Sequence, residues 1–402
     1  MVGQGVGERG RVQRWAAVAA VAAVVVTATT ITVATRPVGA ATSTTGTCHL
    51  AVMTTVVTHS VIPVNVDTGA MGTPIVLPFD VPSSVAVSAD GARAIVSGAA
   101  GGIAPFVVSV DLRTGTVGAA LPVTSTGQVS ITPDSATALV LEEDLSSGRL
   151  DIVDLATNTL RATVAFATPP MSLVLTSDAK TAQVSVGGAL IPVDLATATT
   201  GPAIGGAPSI TFQTAISPDD HIVWSPHTTN GNLVPIDLVA KVAQAPVAVG
   251  TAIAGVAATP DGATVLLSTP STPPSLIAVD TTTRTVRASV PLGVPAPGRL
   301  TVPADGEVAL VIDANNNQIV PFALPALTIG TPISAGPSGA FAPTTPVAAA
   351  FVDHPPTASV FDAVANCPPP TTTTSTSTST TTTAPAAVKA ATSVAASPGF
   401  TG

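Results

Sequence analysis

Tyrosine is absent from this sequence of 402 residues, and aromatic residues as a whole make up 3% of it. Charged residues are scarce as well, at 9% against about 25% in an average soluble domain. The 14 lysines and arginines are scattered and outnumbered by 23 acidic residues, which gives a formal net charge of −9. The sequence therefore argues against nucleic acid and anionic lipid as partners, because both recruit proteins through clustered basic residues.

Small residues, β-branched residues and turn formers make up much of the chain. Hydrophobic residues reach 46%, which is too high for a chain that is disordered throughout. Glycine occurs 33 times and proline 38 times, so many turns are expected. Since valine and threonine suit pleated strands, the composition predicts an all-β protein with many short strands.

The first 41 residues have the order of a secretory signal peptide. Three arginines precede residue 15, an apolar run covers 15–33, and the small residues Val38 and Ala40 fit a cleavage site. We therefore predict an exported protein, extracellular or in the cell envelope, and the scarcity of lysine beside alanine and proline suggests a bacterial source. The alternative is an uncleaved membrane anchor, because the run approaches the ~20 residues that span a bilayer.

Two phrases alternate along the chain with a steady period of about 43 residues. The first is a strand that ends in an apolar residue plus aspartate, and a decayed copy follows at Phe322-Ala323-Leu324. Its aspartates are Asp67, Asp111, Asp154, Asp194, Asp237 and Asp280. The second is an apolar strand followed by proline, alanine or serine, then aspartate, then glycine or a substitute for it; its aspartates are Asp90, Asp134, Asp178, Asp219, Asp261 and Asp305.

Each period predicts four antiparallel strands. Asp-Gly between two apolar runs is typical of a hairpin, because glycine adopts a positive φ without a Cβ clash. The fourth strand alternates apolar and polar residues, most clearly over 160–166 and 286–292, which predicts one buried face. Four strands per period of this length are typical of a β-propeller blade, so we predict a β-propeller.

The repeat, best developed at Pro260-Asp261-Gly262 and Val279-Asp280, resembles the YVTN-type β-propeller repeat of bacterial surface proteins. The resemblance extends over about residues 50–365, although the Tyr-Val-Thr-Asn segment that names the family is missing. It implies an extracytoplasmic propeller with a display or binding role. Related seven-bladed propellers include lactonases, so the resemblance leaves a hydrolase open.

The ends of the repeat region are expected to share one blade. About three strands precede the first Asp-Gly turn and about three follow the sixth repeat, and neither set makes a whole blade. The resulting count favours seven blades and leaves eight open. The early strands are predicted at Leu50–Val57, at Ser60–Val66 and up to Leu77, and the late ones near Phe341, near Phe351 and at Ala358–Ala363.

The two cysteines, Cys48 and Cys367, bracket the repeat region. In an exported protein this position predicts a disulfide that fastens the two ends of the ring, and two unrelated thiols are the alternative. From Pro368 the composition changes to threonine, serine, proline and alanine, which cannot bury a core. The predicted plan is a signal segment at 1–41, a propeller at 42–367 and a disordered tail at 368–402, either O-glycosylated or a plain linker.

One motif resembles a catalytic turn. Val66-Asp67-Thr68-Gly69 has the sequence of an aspartic-protease active-site turn, but that chemistry needs a second carboxylate that shares the proton. No second Asp-Thr/Ser-Gly occurs in the sequence. Asp67 also falls into the repeat series, so we interpret it as a strand end.

Metal sites have weak support in the sequence. Asp313, Asn315 and Asn317 are spaced like the start of a calcium loop, but the glycine and glutamate of such a loop are missing, and a hairpin turn explains them. His221 and His227 flank Trp224 without a zinc spacing, which makes packing the expected role of the tryptophan. The remaining histidines, near the predicted closure, have no evident partner: His49, His59 and His354.

Propellers usually bind or catalyse at the mouth of the central channel, on the loops that enter each first strand. The charged residues there are Asp80 and Arg299, joined by Gln128, Gln213 and hydroxyl groups. A single charged pair is poor support for general acid–base catalysis. We therefore predict a non-catalytic module that has no cofactor and binds a protein or glycan of the cell envelope. The alternative is a lactonase-like hydrolase that uses Asp80 and Arg299.

Overall fold

The computed structural model covers most of the repeat region. It describes residues 48–100, 104–123, 127–142, 148–208, 213–227, 230–295, 297–313, 316–335, 349–353, 359–362 and 364. The predicted signal segment at 1–41, the predicted tail at 368–402 and Cys367 lie outside these ranges.

The described residues form seven antiparallel sheets. They contain no helix, and hence none long and apolar enough to cross a membrane. The closure blade consists of β1 (Leu50–Thr55), β2 (Ser60–Asn65), β3 (Ile75–Val76) and the last strand, β31 (Ala349–Phe351).

Six further blades follow in chain order. Blade 1 contains β4 (Val81–Val87), β5 (Arg93–Ala100), β6 (Ala104–Asp111) and β7 (Thr116–Ala120). Blade 2 contains β8 (Gly127–Ile131), β9 (Thr137–Glu142), β10 (Gly148–Asp154) and β11 (Thr159–Phe166). Blade 3 contains β12 (Pro170–Leu175), β13 (Thr181–Val186), β14 (Ala189–Asp194), β15 (Thr199–Thr200) and β16 (Ile204–Gly205).

The second half repeats the arrangement. Blade 4 contains β17 (Ala215–Ile216), β18 (Ile222–Pro226), β19 (Asn232–Asp237), β20 (Val242–Ala243) and β21 (Val247–Ala248). Blade 5 contains β22 (Gly255–Ala258), β23 (Thr264–Thr269), β24 (Ser275–Asp280) and β25 (Thr285–Pro291). Blade 6 contains β26 (Pro297–Thr301), β27 (Val308–Asp313), β28 (Gln318–Ala323), β29 (Thr328–Ile329) and β30 (Ile333–Ser334). The predicted β-propeller is confirmed, with seven blades rather than eight.

Contacts between the innermost strands close the ring. Strands β4, β8, β12, β17, β22 and β26 each contact the next in that order, and β31 contacts both β26 and β4. In the closure blade β31 pairs with β1, with Val52 opposite Ala350. Three early strands and one late strand therefore complete one four-stranded blade, which confirms that the two ends of the repeat region share a blade.

The prediction of three late strands is wrong in part. Only β31 is a strand after blade 6 among the described residues. Residues 359–362 form turns instead of the predicted strand, because the closure blade already has four strands and Phe361 turns into the core between the closure blade and blade 1. The predicted strand near Phe341 lies outside the described residues.

The core consists of seven apolar clusters, one between each pair of neighbouring blades. Because successive side chains of a strand point to opposite faces, each middle strand serves two clusters. In β1, Leu50 and Val52 pack toward blade 1, whereas Ala51 and Met53 pack toward blade 6. The middle strands are therefore apolar on both faces, whereas the outer strand is partly exposed to solvent. The alternation predicted that Leu160 and Val286, near the start of the outer strands β11 and β25, are buried. They are instead 42% and 41% exposed.

Proline decides whether the outer strand is continuous. In blades 1, 2 and 5 the third strand has no proline two residues before its end, and the outer strand is unbroken. In the other blades proline occupies that position, and only short stretches of the outer strand pair, because proline has no N–H for the ladder. These prolines are Pro63, Pro192, Pro235 and Pro321.

Candidate functional site

Five of the six turns between first and second strands share one hydrogen-bond pattern. In the turn of blade 1, Ser88 Oγ donates to Asp90 Oδ1 at 2.6 Å, and the backbone N–H of Ala92 donates to the same oxygen at 3.1 Å. The hydroxyl bond lowers the pKa of the aspartate, because it stabilises the charged form. The equivalent pairs are Thr132–Asp134, Thr176–Asp178, Ser217–Asp219 and Thr259–Asp261.

The sixth turn, in blade 6, departs from this pattern. Pro303 occupies the hydroxyl position, so the turn offers Asp305 no hydroxyl donor. Asp305 Oδ1 still accepts from the backbone N–H of Glu307 at 3.0 Å. Asp305 Oδ2 instead faces the closure blade, where it lies 3.1 Å from His49 Nε2, and Glu307 Oε2 lies 3.8 Å from the same nitrogen.

His49 directly precedes β1 and is only 4% exposed. Asp67, in the turn two residues beyond the end of β2, holds it by two bonds: Asp67 Oδ1 accepts from Nδ1 at 2.8 Å, and Oδ2 accepts from the His49 backbone N–H at 2.8 Å. Since a carboxylate only accepts, Nδ1 carries the hydrogen and Nε2 faces blade 6. We call His49, Asp67, Asp305 and Glu307 the seam cluster, because they join the closure blade to blade 6.

Asp67 is not the repeat aspartate that the sequence suggested. Repeat aspartates close their turn with Oδ1, as Asp154 does by accepting from the N–H groups two and three residues later. In the closure blade Asn65 has this role, since its Oδ1 accepts from the backbone N–H groups of Asp67 and Thr68 at 3.0 Å each. The assignment of Asp67 to the repeat series is therefore wrong by two positions, and its carboxylate is available for His49.

The expectation that His49 has no partner is also wrong. Burial of the ring disfavours the charged imidazolium, but the hydrogen bond and charge of Asp67 and the charges of Asp305 and Glu307 outweigh it and raise the pKa of His49. A signal for this cluster exists in the sequence: proline replaces the turn hydroxyl only in the sixth copy, at Pro303.

The other histidines that the structure describes lie apart from this cluster. His59 Nδ1 contacts the Asp80 carbonyl oxygen at 2.6 Å, and the exposed His221 lies 3.2 Å from Asp219. Trp224 is 3% exposed in the core between blades 4 and 5, which confirms its predicted packing role. His354 lies outside the described residues.

The seam cluster and the predicted channel mouth lie on opposite faces of the propeller. Because the strands of a blade are antiparallel, turns from first to second strand lie at one end and loops that enter a first strand lie at the other. The seam cluster is built from a turn of the former kind together with the ends of two closure-blade strands. Asp80 and Arg299 stand at the entry side of β4 and in β26.

At the channel mouth, the two predicted glutamines bind neighbouring backbone. Gln128 donates to the Leu173 carbonyl at 3.0 Å and accepts from its N–H at 3.0 Å. Gln213 binds Leu300 in the same way, at 2.7 and 3.1 Å. Gln128 in β8 thus binds β12, and Gln213, which precedes β17, binds β26, so both amides are engaged in connecting different blades.

Asp80 and Arg299 do not form an ion pair in the part of the chain that the structure describes. Asp80 is exposed beside β4, whereas Arg299 is half-buried in β26, and the closure-blade strand β31 lies between these two innermost strands. Their suggested catalytic role stays a prediction.

The suggested calcium loop follows β27. Asp313 is fully buried, and its Oδ2 accepts from Asn316 Nδ2 at 2.6 Å and from Gln318 Nε2 at 2.9 Å. Asn317 adopts a positive φ of 51°, as a tight hairpin requires, and Asn315 lies outside the described residues. Amide donors of the hairpin itself thus occupy one oxygen of Asp313, and the calcium site stays a prediction.

Comparison with known proteins supports the architecture. No protein-family model and no curated protein matches the chain. Among 1620 solved chains of similar structure is one of Kuenenia stuttgartiensis hydrazine synthase, at 19% sequence identity and a TM-score of 0.53. The match covers 62% of this chain and 78% of that one. The structural match shows a shared fold, and at this sequence identity it shows nothing beyond the fold.

Proposed function

We propose that this protein is an exported, YVTN-type β-propeller that binds a protein or glycan of the cell envelope and does not catalyse a reaction. The engagement of Gln128 and Gln213 with neighbouring backbone is the main support. General acid–base catalysis needs a poised pair of titratable groups. The described residues at the channel mouth offer only Asp80 and Arg299, which are not paired with each other.

Export is part of the proposal, and one contact supports the predicted Cys48–Cys367 disulfide. Asn65 Nδ2 lies 3.8 Å from Cys48 Sγ and donates to the Val364 carbonyl at 3.0 Å. The chain is therefore held beside Cys48 only three residues before Cys367, and three residues span up to about 10 Å. Mass spectrometry of the unreduced, exported protein should show the two cysteines in one cross-linked peptide pair, and two free thiols would contradict this.

The binding role is tested with the full chain, produced with its own export signal. The exported protein is immobilised and exposed separately to cell-wall, glycan and protein fractions of the envelope. We expect saturable capture of one defined class. Asp80→Ala and Arg299→Ala should weaken it if the ligand sits at the channel mouth, whereas His221→Gln, on the opposite face, is the matched control.

The alternative is a lactonase-like hydrolase at the same mouth. A panel of lactones incubated with the exported protein discriminates between the two functions. The binding proposal predicts no turnover above that of the Asp80→Ala variant. Turnover that Asp80→Ala and Arg299→Ala both abolish would replace the binding proposal with the hydrolase.

A further inference from the structure

We propose that His49, Asp305 and Glu307 bind a divalent transition-metal ion, for which Zn²⁺ is the test ion, and that Asp67 orients the histidine. Ligand atoms of these three residues all lie within 4.8 Å of one another. Imidazole nitrogen together with carboxylate oxygen suits zinc and its neighbours in the first transition row, and is less typical of calcium or magnesium.

The histidine is the observation that points to a cation. His49 is 4% exposed, and its Nε2 has no hydrogen-bond partner although Asp305 Oδ2 is 3.1 Å away, because the two atoms are not aligned for one. Asp67 occupies Nδ1, so in the neutral ring the lone pair of Nε2 points toward Asp305 and Glu307. A lone pair that faces two carboxylates is repulsive unless a proton or a metal cation lies between them.

The distances fit a small metal ion. Tetrahedral zinc with bonds of about 2.0–2.1 Å places its ligand atoms about 3.3 Å apart. The distances from His49 Nε2 to Asp305 Oδ2 and to Glu307 Oε2 are 3.1 and 3.8 Å, on either side of this value. Small rotations of the two carboxylates, whose side chains are 36% and 22% exposed, would complete three positions and leave a fourth open to water.

The supporting shell resembles that of known metal sites. A histidine that ligates a metal commonly donates its other ring N–H to a carboxylate, which fixes the tautomer and the ring orientation. Asp67 does this for His49 and also binds its backbone N–H, so the ring is held before any ion arrives. Among the described residues no lysine or arginine pairs with Asp67 or Asp305, so a divalent cation would offset their charge.

The repeat supplies an independent argument. The C=O group of His49 accepts from the first N–H after its neighbouring strand, as the C=O groups of His221 and Glu307 do in blades 4 and 6. His49, His221 and Glu307 thus hold one repeat position, and within the described ranges an ion pair joins two side chains of this position across blades only at the seam, between His49 and Glu307. A bound ion would connect the closure blade to blade 6.

The experiment uses the full chain without a histidine tag, stripped with a chelator and titrated with Zn²⁺ by calorimetry and with Co²⁺ by visible absorption. We expect one equivalent of Zn²⁺ per chain, a tetrahedral Co²⁺ spectrum and a higher melting temperature with zinc. His49→Gln and Asp305→Asn should each lower the zinc affinity at least tenfold and remove the spectrum. Asp67→Asn should lower the affinity by about 10- to 100-fold, as for other outer-shell carboxylates.

His221→Gln is the matched control, because it occupies the same repeat position beside Asp219 in an exposed turn, and it should leave zinc binding unchanged. Asp305→Asn lies in a surface turn, and circular dichroism should confirm that the variant folds. The proposal is overturned if the wild-type chain binds no stoichiometric zinc, or if His49→Gln and Asp305→Asn bind it as tightly as wild type. The cluster would then be a protonated histidine among three carboxylates.

Discussion

The turn of blade 5 and the turn of blade 6 occupy the same place in the repeat and differ in one partner. In blade 5 the Thr259 hydroxyl donates to Asp261, so the carboxylate is engaged within its own turn. In blade 6 Pro303 offers no hydroxyl, and the Asp305 carboxylate turns toward His49 of the closure blade. Asp305 thus has one local hydrogen bond fewer than Asp261, and its second carboxylate oxygen makes a contact between blades.

The closure blade shows the same exchange on the other side of the seam. Asn65 closes the turn that aspartate closes elsewhere, and Asp67, two residues later, binds His49. In both places a carboxylate contacts one buried histidine: Asp67 uses both of its oxygens, and Asp305 uses the oxygen that does not bind its own turn. A site in a repeat protein can therefore be found where copies depart from the common pattern, without any comparison between species.

The largest loss of stability is expected when Asp67 is replaced. Asp67→Ala leaves the backbone N–H and the ring Nδ1 of His49 buried without an acceptor, and each such loss costs about 1–3 kcal/mol. We expect the free energy of unfolding in chelator to fall by about 3 kcal/mol, measured by urea denaturation. A loss below about 1 kcal/mol would show that Asp67 does not hold the histidine.

Replacing Asn65 by aspartate, the residue that closes this turn in other blades, should also destabilise the protein. Asn65→Asp would keep the turn acceptor but replace the amide that donates to the Val364 carbonyl, and it would bury a charge, because Asn65 is fully buried. We expect a loss of about 2 kcal/mol and faster proteolysis after blade 6. Stability equal to wild type would mean that the Asn65–Val364 contact is unimportant.

A substitution in the regular turn of blade 5 should lower the free energy of unfolding by less, and the loss should depend on pH. Thr259→Val keeps the shape but removes the hydroxyl that lowers the pKa of Asp261. A lowered pKa stabilises the fold above the ordinary aspartate value of 3.8, and this contribution disappears as the pH falls through the folded-state pKa. We expect a loss of about 1 kcal/mol at pH 7, which shrinks below pH 3.8. A loss that is equal at both pH values would contradict this origin.

The smallest effect is expected at the exposed counterpart of the seam histidine. His221→Gln removes an ion pair whose two side chains are 61% and 63% exposed, and such pairs contribute little in water. Thermal unfolding should change by less than about 0.5 kcal/mol. A clearly larger change would show that burial is not what separates His49 from His221.

Much of the fold followed from local patterns. The Asp-Gly turns are confirmed, since Gly91, Gly262 and Gly306 all have a positive φ near 70°. Strand order within a blade is local, because consecutive strands pair through short turns, and so the period revealed the blades. The late strand at 358–363 was predicted wrongly because apolar alternation does not reveal that the closure blade is already full.

The sequence by itself determined the repeat, the four-stranded blades and the sharing of one blade by the two ends of the repeat region, because each depends on contacts between residues close in the chain or on the period. Only the tertiary structure decided the count of seven and the seam cluster. His49 and Asp305 stand at opposite ends of the repeat region and meet because the ring closes. Ring closure depends on how far each blade is turned from the last, and that angle is set by packing between blades, which no local pattern records.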